Sequence, residues 1–129
     1  MGAKSANAEN VKLLFNIVPE SAAYLGNRTI ESIAKSTVFN NRPDALCVSG
    51  LTAGVETDAT VLKRVKDAVP DTVLFANTGV KPSNVRDQLK IADAVVGTTF
   101  KKDGKFEKHV DEERVREFMD IVKEFRETL

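Results

Sequence analysis

The sequence predicts an α/β fold in which four consecutive βα units share one parallel sheet, and two observations support this prediction. Short apolar runs of strand length alternate with segments whose apolar residues recur at helical spacing. An aspartate also stands just before three of the runs, at Asp44, Asp71 and Asp93, which indicates one repeating unit. This alternation gives right-handed crossovers, so the sheet is either open and doubly wound or part of a closed barrel.

The four predicted strands are apolar runs that stop at turn-forming residues. They occupy residues 11–18, 45–50, 73–76 and 94–96. The first run is almost continuously apolar, which is the pattern of a parallel strand covered on both faces, and Pro19 ends it. Each of the other three runs leads into a glycine, at Gly50, Gly79 and Gly97.

The predicted helices between and after the strands begin at residues that favour helix starts. The capping candidates are Asn27 or Thr29 for the first helix, Asp58 for the second and Asp111 for the last. The third helix is short, and Pro82 is expected in its first turn, where proline is tolerated. Its apolar positions are Val85, Leu89 and Ile91.

The composition indicates a single domain. The chain has 129 residues, of which 42% are hydrophobic, and this is enough for one core. No Pro/Gly/Ser-rich linker divides the sequence, so we predict an N-terminal tail at residues 1–10 and one (βα)4 domain at 11–129. The 19 basic residues balance 19 acidic ones, and no basic stretch interleaves with aromatics, which argues against nucleic acid as a partner.

Targeting and metal-binding signals are sparse. The first ten residues lack the apolar core of a signal peptide, and no run approaches the ~20 apolar residues that span a bilayer. We therefore expect a cytoplasmic protein without membrane insertion. Cys47 is the one cysteine and lies in an apolar run, which predicts a buried, inert thiol and excludes an internal disulfide. We expect no metal and no cofactor.

The glycine-bearing turns after the third and fourth runs predict an anion site. Because the carboxyl ends of parallel strands meet at one edge of a sheet, Gly79 and Gly97 would bring bare N–H groups together there. Such a pair suits a phosphate or carboxylate, and in eight-stranded βα barrels the last two loops often hold phosphate. The predicted ligand-binding residues are Ser49, Gly50, Asn77, Gly79, Lys81, Gly97 and Thr98.

Several of these features have a second interpretation. Gly79 and Gly97 could instead serve tight packing or a positive φ. Glu20 and Glu56 follow strands at the end where barrels place acid–base groups, so they are speculative catalytic candidates. Lys101 and its neighbouring lysine are more typical of a solvated turn than of a ligand clamp.

Four segments of the chain resemble, in order and spacing, the C-terminal half of the BtpA (BtpA/SgcQ) family. They are VSGLTAGVETD, PDTVLFANTGVKPSNV, ADAVVGTTFKKDG and HVDEERVREFM. The resemblance implies a (βα)8 TIM barrel about twice this length, whose strands five to eight correspond to the four strands here. The chain would then be half of such a barrel. Family members are associated with photosystem I biogenesis, although many occur where photosynthesis does not.

Three functions from different classes stay open. The first is a barrel that binds a phosphorylated or other anionic small molecule at the strand ends. Such a barrel could act as a lyase or an isomerase on that molecule. The second is a non-catalytic assembly or regulatory factor, because Pro19-Glu20-Ser21 stands where the family pattern has a Lys-His pair. The third is an inactive half of a longer barrel enzyme. The sequence leaves open whether the chain catalyses a reaction.

The strand edges of a half-barrel predict self-association. Four strands leave two unpaired edges, and neither end strand carries the charges or prolines that protect an edge. The inner face would also be open and apolar. We therefore predict a homodimer that completes a barrel, against the rival of a monomeric open sheet whose inner face is covered by a helix. Depending on register, the inner face includes Leu14, Val48, Phe75 or Val96.

Overall fold

Four parallel strands form the sheet of this protein in the order β1-β2-β3-β4, as seen in a computed structural model that describes residues 7–52 and 54–129. The strands are β1 Leu14–Val18, β2 Ala45–Val48, β3 Val73–Ala76 and β4 Ala94–Val95. The helices are α1 Ile30–Asn41, α2 Ala59–Ala68, α3 Val85–Leu89 and α4 Glu112–Glu127, and single 3₁₀ turns lie at Thr98–Phe100 and Lys102–Gly104. The predicted α/β class with four βα units is confirmed. Of the predicted tail, residues 1–6 lie outside the described residues.

Three of the four strands are shorter than predicted, and the parallel register explains the largest difference. β1 begins at Leu14, three positions later than expected, because Leu14 is paired with Ala45, the first residue of β2. Upstream of Ala45, Asp44 donates its N–H to the Leu13 carbonyl and accepts the Leu13 N–H at its carboxylate. The residues before Leu13 therefore have no neighbouring strand with which to pair.

The hydrophobic core lies between the sheet and the helices. Leu46 and Val48 of β2 are fully buried on this face, with Leu74 of β3 beside them. Leu62 on α2 and Phe118 on α4 cover them in one continuous cluster. Burying a side chain of this size stabilises the fold by about 1.5–3 kcal/mol. All four βα units therefore contribute to a single core.

On the opposite face of the sheet, Ala45 and Cys47 of the inner strand β2 are buried, whereas positions on the strands beside them are more exposed. Leu14 is 47% exposed and Val73 is 44% exposed, although both belong to strands. The prediction that β1 is covered on both faces was therefore wrong for this chain. The expectation that Val48 lies on the inner face was also wrong. Val48 alternates with Cys47 along β2 and therefore points into the helix-covered core. Phe75 is paired with Cys47 on the open face.

The capping residues in the sequence predicted the helix starts correctly. Thr29 accepts the Ser32 N–H at 3.2 Å, and Asp58 accepts the Thr60 N–H at 2.7 Å. Asp111 caps α4 in the same way. Pro82 lies in the turn that precedes α3 rather than in the first turn of that helix, which begins at Val85.

The single cysteine is buried as predicted. Cys47 is 5% exposed on β2, and this burial raises the pKa of its thiol. A thiol that resists ionisation is a poor nucleophile. None of the described helices combines the length and the apolar character needed to cross a membrane.

Candidate functional site

The loops after β2 and β3 are tied together by two buried threonines. The Thr57 hydroxyl contacts the carbonyl oxygen of Val48 at 3.1 Å and that of Thr78 at 3.3 Å. The Thr78 hydroxyl donates to the Val55 carbonyl oxygen at 2.8 Å and accepts the Gly50 N–H at 2.6 Å. The N–H of Gly50 is therefore already used within the protein, and this loop pair forms a rigid rim at the carboxyl end of the sheet.

The glycines of this rim allow one loop to approach another. A Cβ built on Gly79, where φ is +69°, would lie 2.3 Å from the Val55 carbonyl carbon. A Cβ on Gly97 would lie 2.3 Å from the Val80 carbonyl oxygen. Real Cβ atoms do not come this close to backbone, so any larger residue would push the loops apart. The packing interpretation of both glycines therefore holds: Gly79 packs against the loop after β2, and Gly97 packs against the turn after β3.

A basic cavity of about 220 Å³ opens between the loops that follow β3 and β4. Two of its walls are cationic, at Lys81 and Arg114, and neither side chain forms an ion pair with a described carboxylate. The Arg114 Nε donates to the Thr99 carbonyl oxygen at 2.7 Å, which fixes the guanidinium against the loop. The full lining is Gly54, Gly79, Val80, Lys81, Thr98, Thr99, Gly104 and Arg114. We call this space the basic cavity.

Buried contacts hold the walls of the basic cavity in place. Asn84 is 7% exposed, accepts the Lys81 N–H at 2.9 Å and donates to the Gly79 carbonyl at 3.1 Å. On the other side, Phe100 packs edge-on against Phe118 of α4, with ring centroids 4.7 Å apart. These contacts fix the turn after β3 and the turn after β4.

A second cavity adjoins the basic cavity and has a volume of about 250 Å³. The two share Gly54, Gly79 and Thr98. In the described part of the chain, no acceptor takes the N–H of Gly79, Gly97 or Thr98. The full lining of the second cavity is Glu20, Gly54, Asn77, Thr78, Gly79, Val96, Gly97, Thr98, Lys101 and Phe106.

A row of three uncharged polar side chains crosses the sheet, and one of them, Asn77, lines the second cavity. The Asn16 amide donates to the Ser49 hydroxyl at 2.9 Å, and the Asn77 amide donates to the same oxygen at 3.2 Å. Ser49 is 3% exposed. The three residues come from β1 and from the ends of β2 and β3, so this polar row links three strands on the open face.

The two candidate catalytic acids border different cavities. Glu20 borders the second cavity, whereas Glu56 borders a larger one of about 660 Å³ together with Ser49 and Gly50. Glu56 accepts a hydrogen bond from the buried Gln88 amide at 3.2 Å, and Gln88 also donates to the Thr57 carbonyl. Each acid therefore lies beside some of the predicted anion-binding residues: Glu20 beside Asn77, Gly79, Gly97 and Thr98, and Glu56 beside Ser49 and Gly50. Among the described residues, no three His, Cys, Asp or Glu side chains form a group that could hold a metal ion.

Arg114 is the main residue that sequence reasoning missed. It lies three positions after the capping Asp111, in the first turn of α4. Acidic residues are favoured in that turn because of the helix dipole, so an arginine there opposes the local preference. The conflict with the helix dipole was therefore the signal for Arg114 that the sequence contained. The contact between Arg114 and Thr99 depends on tertiary structure.

Comparisons with known proteins agree with this architecture. The sgc region protein SgcQ of Escherichia coli is 67% identical over 120 residues, which cover 92% of this chain and 45% of that protein. An uncharacterized protein of Thermococcus kodakarensis is 30% identical over 119 residues, or 92% of this chain and 44% of that one. The chain thus spans a little under half the length of these relatives.

The fold is similar to part of a solved TIM barrel, N-(5'-phosphoribosyl)anthranilate isomerase from Pyrococcus furiosus. The TM-score is 0.59 at 15% identity, and the match covers 95% of this chain and 55% of that one. The four parallel strands therefore correspond to half of a barrel. The model of the BtpA family matches residues 3–124, nearly the whole chain. This protein is a member of the BtpA family.

Proposed function

We propose that this protein binds the phosphate group of a small phosphorylated molecule in the basic cavity. One observation carries the proposal: among the described residues, Lys81 and Arg114 face one cavity without carboxylate partners, and the N–H groups of Gly79 and Thr98 at the same place have no acceptor. A phosphate offers several strong acceptor oxygens and up to two negative charges. Arginine suits it because the planar guanidinium can donate two parallel hydrogen bonds.

The position of the cavity supports the same function. It lies between the loops after the last two strands of the sheet, where βα barrels frequently bind phosphate. The isomerase that shares the fold is named for a phosphoribosyl compound, which is consistent with such a site. The walls are held by Asn84 and by the Phe100–Phe118 contact, so little conformational freedom would be lost on binding.

Isothermal titration of the protein with inorganic phosphate tests this function. Arg114→Ala should weaken phosphate binding at least about ten-fold, because a charge-assisted hydrogen bond contributes about 1.5–3 kcal/mol. Lys81→Gln should weaken it less, because a flexible lysine acts mainly as a point charge. Lys108→Gln is the matched control, since Lys108 belongs to the same loop region but does not line the basic cavity.

Two outcomes would reject the proposal. One is the absence of phosphate binding to the wild-type protein at millimolar concentration. The other is an equal effect of Arg114→Ala and Lys108→Gln, which would indicate a general charge effect rather than a site. Circular dichroism of each variant verifies that the comparison is made between folded proteins.

We also propose that the open face of the sheet is covered by a second copy of this chain, so that two half-barrels complete a barrel. Four strands present two unpaired edges, at β1 and β4, and Leu14 and Val73 expose apolar surface between them. A twofold arrangement would pair each β1 with the β4 of the other copy. Any catalytic role of Glu20 would then depend on loops from both halves.

A further inference from the structure

The anchoring of Arg114 carries an inference about how the basic cavity recognises a phosphate, and it rests on the proposed function. The Arg114 Nε donates its N–H to the Thr99 carbonyl oxygen at 2.7 Å. A guanidinium has further N–H donors on both terminal nitrogens. Among the described residues no acceptor takes any of these, although Arg114 is half-buried and lines the cavity. The donors left for a ligand are therefore those of Nη1 and Nη2.

A short hairpin after β4 explains why Arg114 meets this carbonyl. Lys101 and Val110 form an antiparallel bridge at the base of the hairpin. Beside it, the N–H of Asp111, which caps α4, donates to the Phe100 carbonyl oxygen at 2.7 Å. This bond holds the start of α4 against the 3₁₀ turn that ends at Phe100. Since Arg114 belongs to the first turn of α4, the backbone of the hairpin brings it beside that 3₁₀ turn.

The tip of the hairpin approaches the guanidinium at a terminal nitrogen. Asp103 and Gly104 have φ values of +59° and +65°. The Lys105 N–H donates to the Lys102 carbonyl oxygen at 3.2 Å, which completes a type I′ turn, and both central residues of such a turn need a positive φ. A Cβ on Gly104 would lie 3.3 Å from Nη2 of Arg114, closer than most Cβ contacts in proteins. Gly104 therefore leaves the space in which the guanidinium lies while its Nε stays bonded.

We propose that Arg114 binds the phosphate end-on: Nη1 and Nη2 each donate one N–H to a different phosphate oxygen, while Nε stays with the Thr99 carbonyl. Gly104 is the positioning residue that keeps the guanidinium in this orientation. A planar guanidinium can also bind side-on, through Nε and one terminal nitrogen. That arrangement would break the 2.7 Å bond to Thr99, so the hairpin selects the end-on one.

Nuclear magnetic resonance of the isotope-labelled full chain, titrated with inorganic phosphate, tests the mode of binding. The Nε–H resonance of Arg114, identified by its loss in Arg114→Lys, should move little as phosphate is added, whereas the terminal N–H resonances should shift. Arg114→Lys should weaken phosphate binding about ten-fold, nearly as much as Arg114→Ala, because a single ammonium group does not reproduce the fork. This variant leaves the backbone of the hairpin unchanged.

Variants of Gly104 test its positioning role. Gly104→Ala should weaken phosphate binding about three-fold or more, because the added Cβ displaces Nη2 from the orientation that binds. Gly104→Asn adds the same Cβ, but asparagine tolerates a positive φ, so it should weaken binding equally if displacement is the cause. In a double-mutant cycle, Gly104→Ala should have little effect on affinity once Arg114→Ala is present. A purely structural role of Gly104 would give the same loss in both backgrounds.

The possible failures are distinguishable. If phosphate binds and Arg114→Ala weakens it, but Arg114→Lys stays within about two-fold of wild type, the end-on fork is overturned while the phosphate site stands. The inference is likewise overturned if the Nε–H resonance shifts as much as the terminal ones, or if Gly104→Ala acts equally with and without Arg114. If Gly104→Ala fails to fold, Gly104→Asn and Arg114→Lys still decide. If phosphate does not bind to the wild-type protein, the phosphate site and the inference are both rejected.

Discussion

Gly97 shows how the close packing of two loops, rather than backbone conformation, can require a glycine. Its backbone φ of −167° is extended and open to any residue, so conformational freedom does not explain the glycine. The close approach of the Val80 carbonyl does explain it. The same approach brings the turn after β3 against the turn after β4, and this contact forms the boundary of both cavities. A valine at position 97 would disturb the packing of the two loops, so its effect on ligand binding could not be separated from its effect on the fold.

Gly97→Ala is therefore predicted to destabilise the fold. The added Cβ would lie 2.3 Å from the Val80 carbonyl oxygen, and overpacking of this kind costs about 1–3 kcal/mol. Urea unfolding followed by circular dichroism measures the loss. Gly26→Ala is the control, because a Cβ at Gly26 meets nothing within 4 Å. Equal stability of the two variants would show that the loops can separate at no cost.

Asp93 joins three elements of the fold. Its carboxylate accepts the Lys66 ammonium of α2 at 2.7 Å and the Leu74 N–H of β3 at 2.9 Å, and it directly precedes β4. Burial acts to raise the pKa of Asp93, but the hydrogen bonds from Lys66 and Leu74 outweigh it and hold the pKa below its ordinary value of 3.8. The aspartate before the strand is thus a connection between elements, which its position in the sequence alone did not indicate.

The depressed pKa of Asp93 predicts how stability depends on pH. A carboxyl whose pKa is lower when folded stabilises the protein fully above the unfolded pKa, and the contribution is lost as pH falls through the folded value. Asp93→Asn should therefore destabilise the fold at pH 7, and its difference from wild type should shrink as the pH falls below 3.8. Urea unfolding across this range measures the effect. Asp71→Asn serves as an exposed control, and a pH-independent difference at Asp93 would contradict the assignment.

At the scale of the whole molecule, the sheet has one covered face and one open face. The core against the helices is continuous, so the chain has the means to fold as a unit. The open face carries Leu14, Val73 and Phe75, and its polar row lies at the carboxyl end. In a complete barrel this face would be interior, with the polar row at the mouth where barrel active sites lie.

Self-association is predicted to depend on this face. Light scattering coupled to size exclusion should give a species of twice the 14.1 kDa chain mass at micromolar concentration. Leu14→Glu should convert it to a monomer, because a charge would be placed in the apolar interface. Phe39→Glu is the control, since Phe39 is 81% exposed on the outer helix α1. A folded wild-type monomer, or dissociation by both variants alike, would argue against barrel completion.

The sequence by itself determined the number and order of βα units, the helix starts at Thr29, Asp58 and Asp111, and the end of the sheet at which the predicted ligand-binding residues gather. These features depend on periodicity and capping, which act over a few neighbouring residues. The residues Asn77, Gly79, Lys81 and Thr98 were predicted for the same reason, since strand ends in a parallel sheet share one edge.

Only the tertiary structure decided which of these residues share a cavity and which groups are already paired. The Gly50 N–H is taken by Thr78, Glu56 accepts a hydrogen bond from Gln88, and Arg114 reaches the loop after β4 from a helix that begins downstream. Val48 faces the core because of the register between β2 and its neighbours. Each outcome depends on contacts between residues far apart in the chain, where local preference carries no information about the partner.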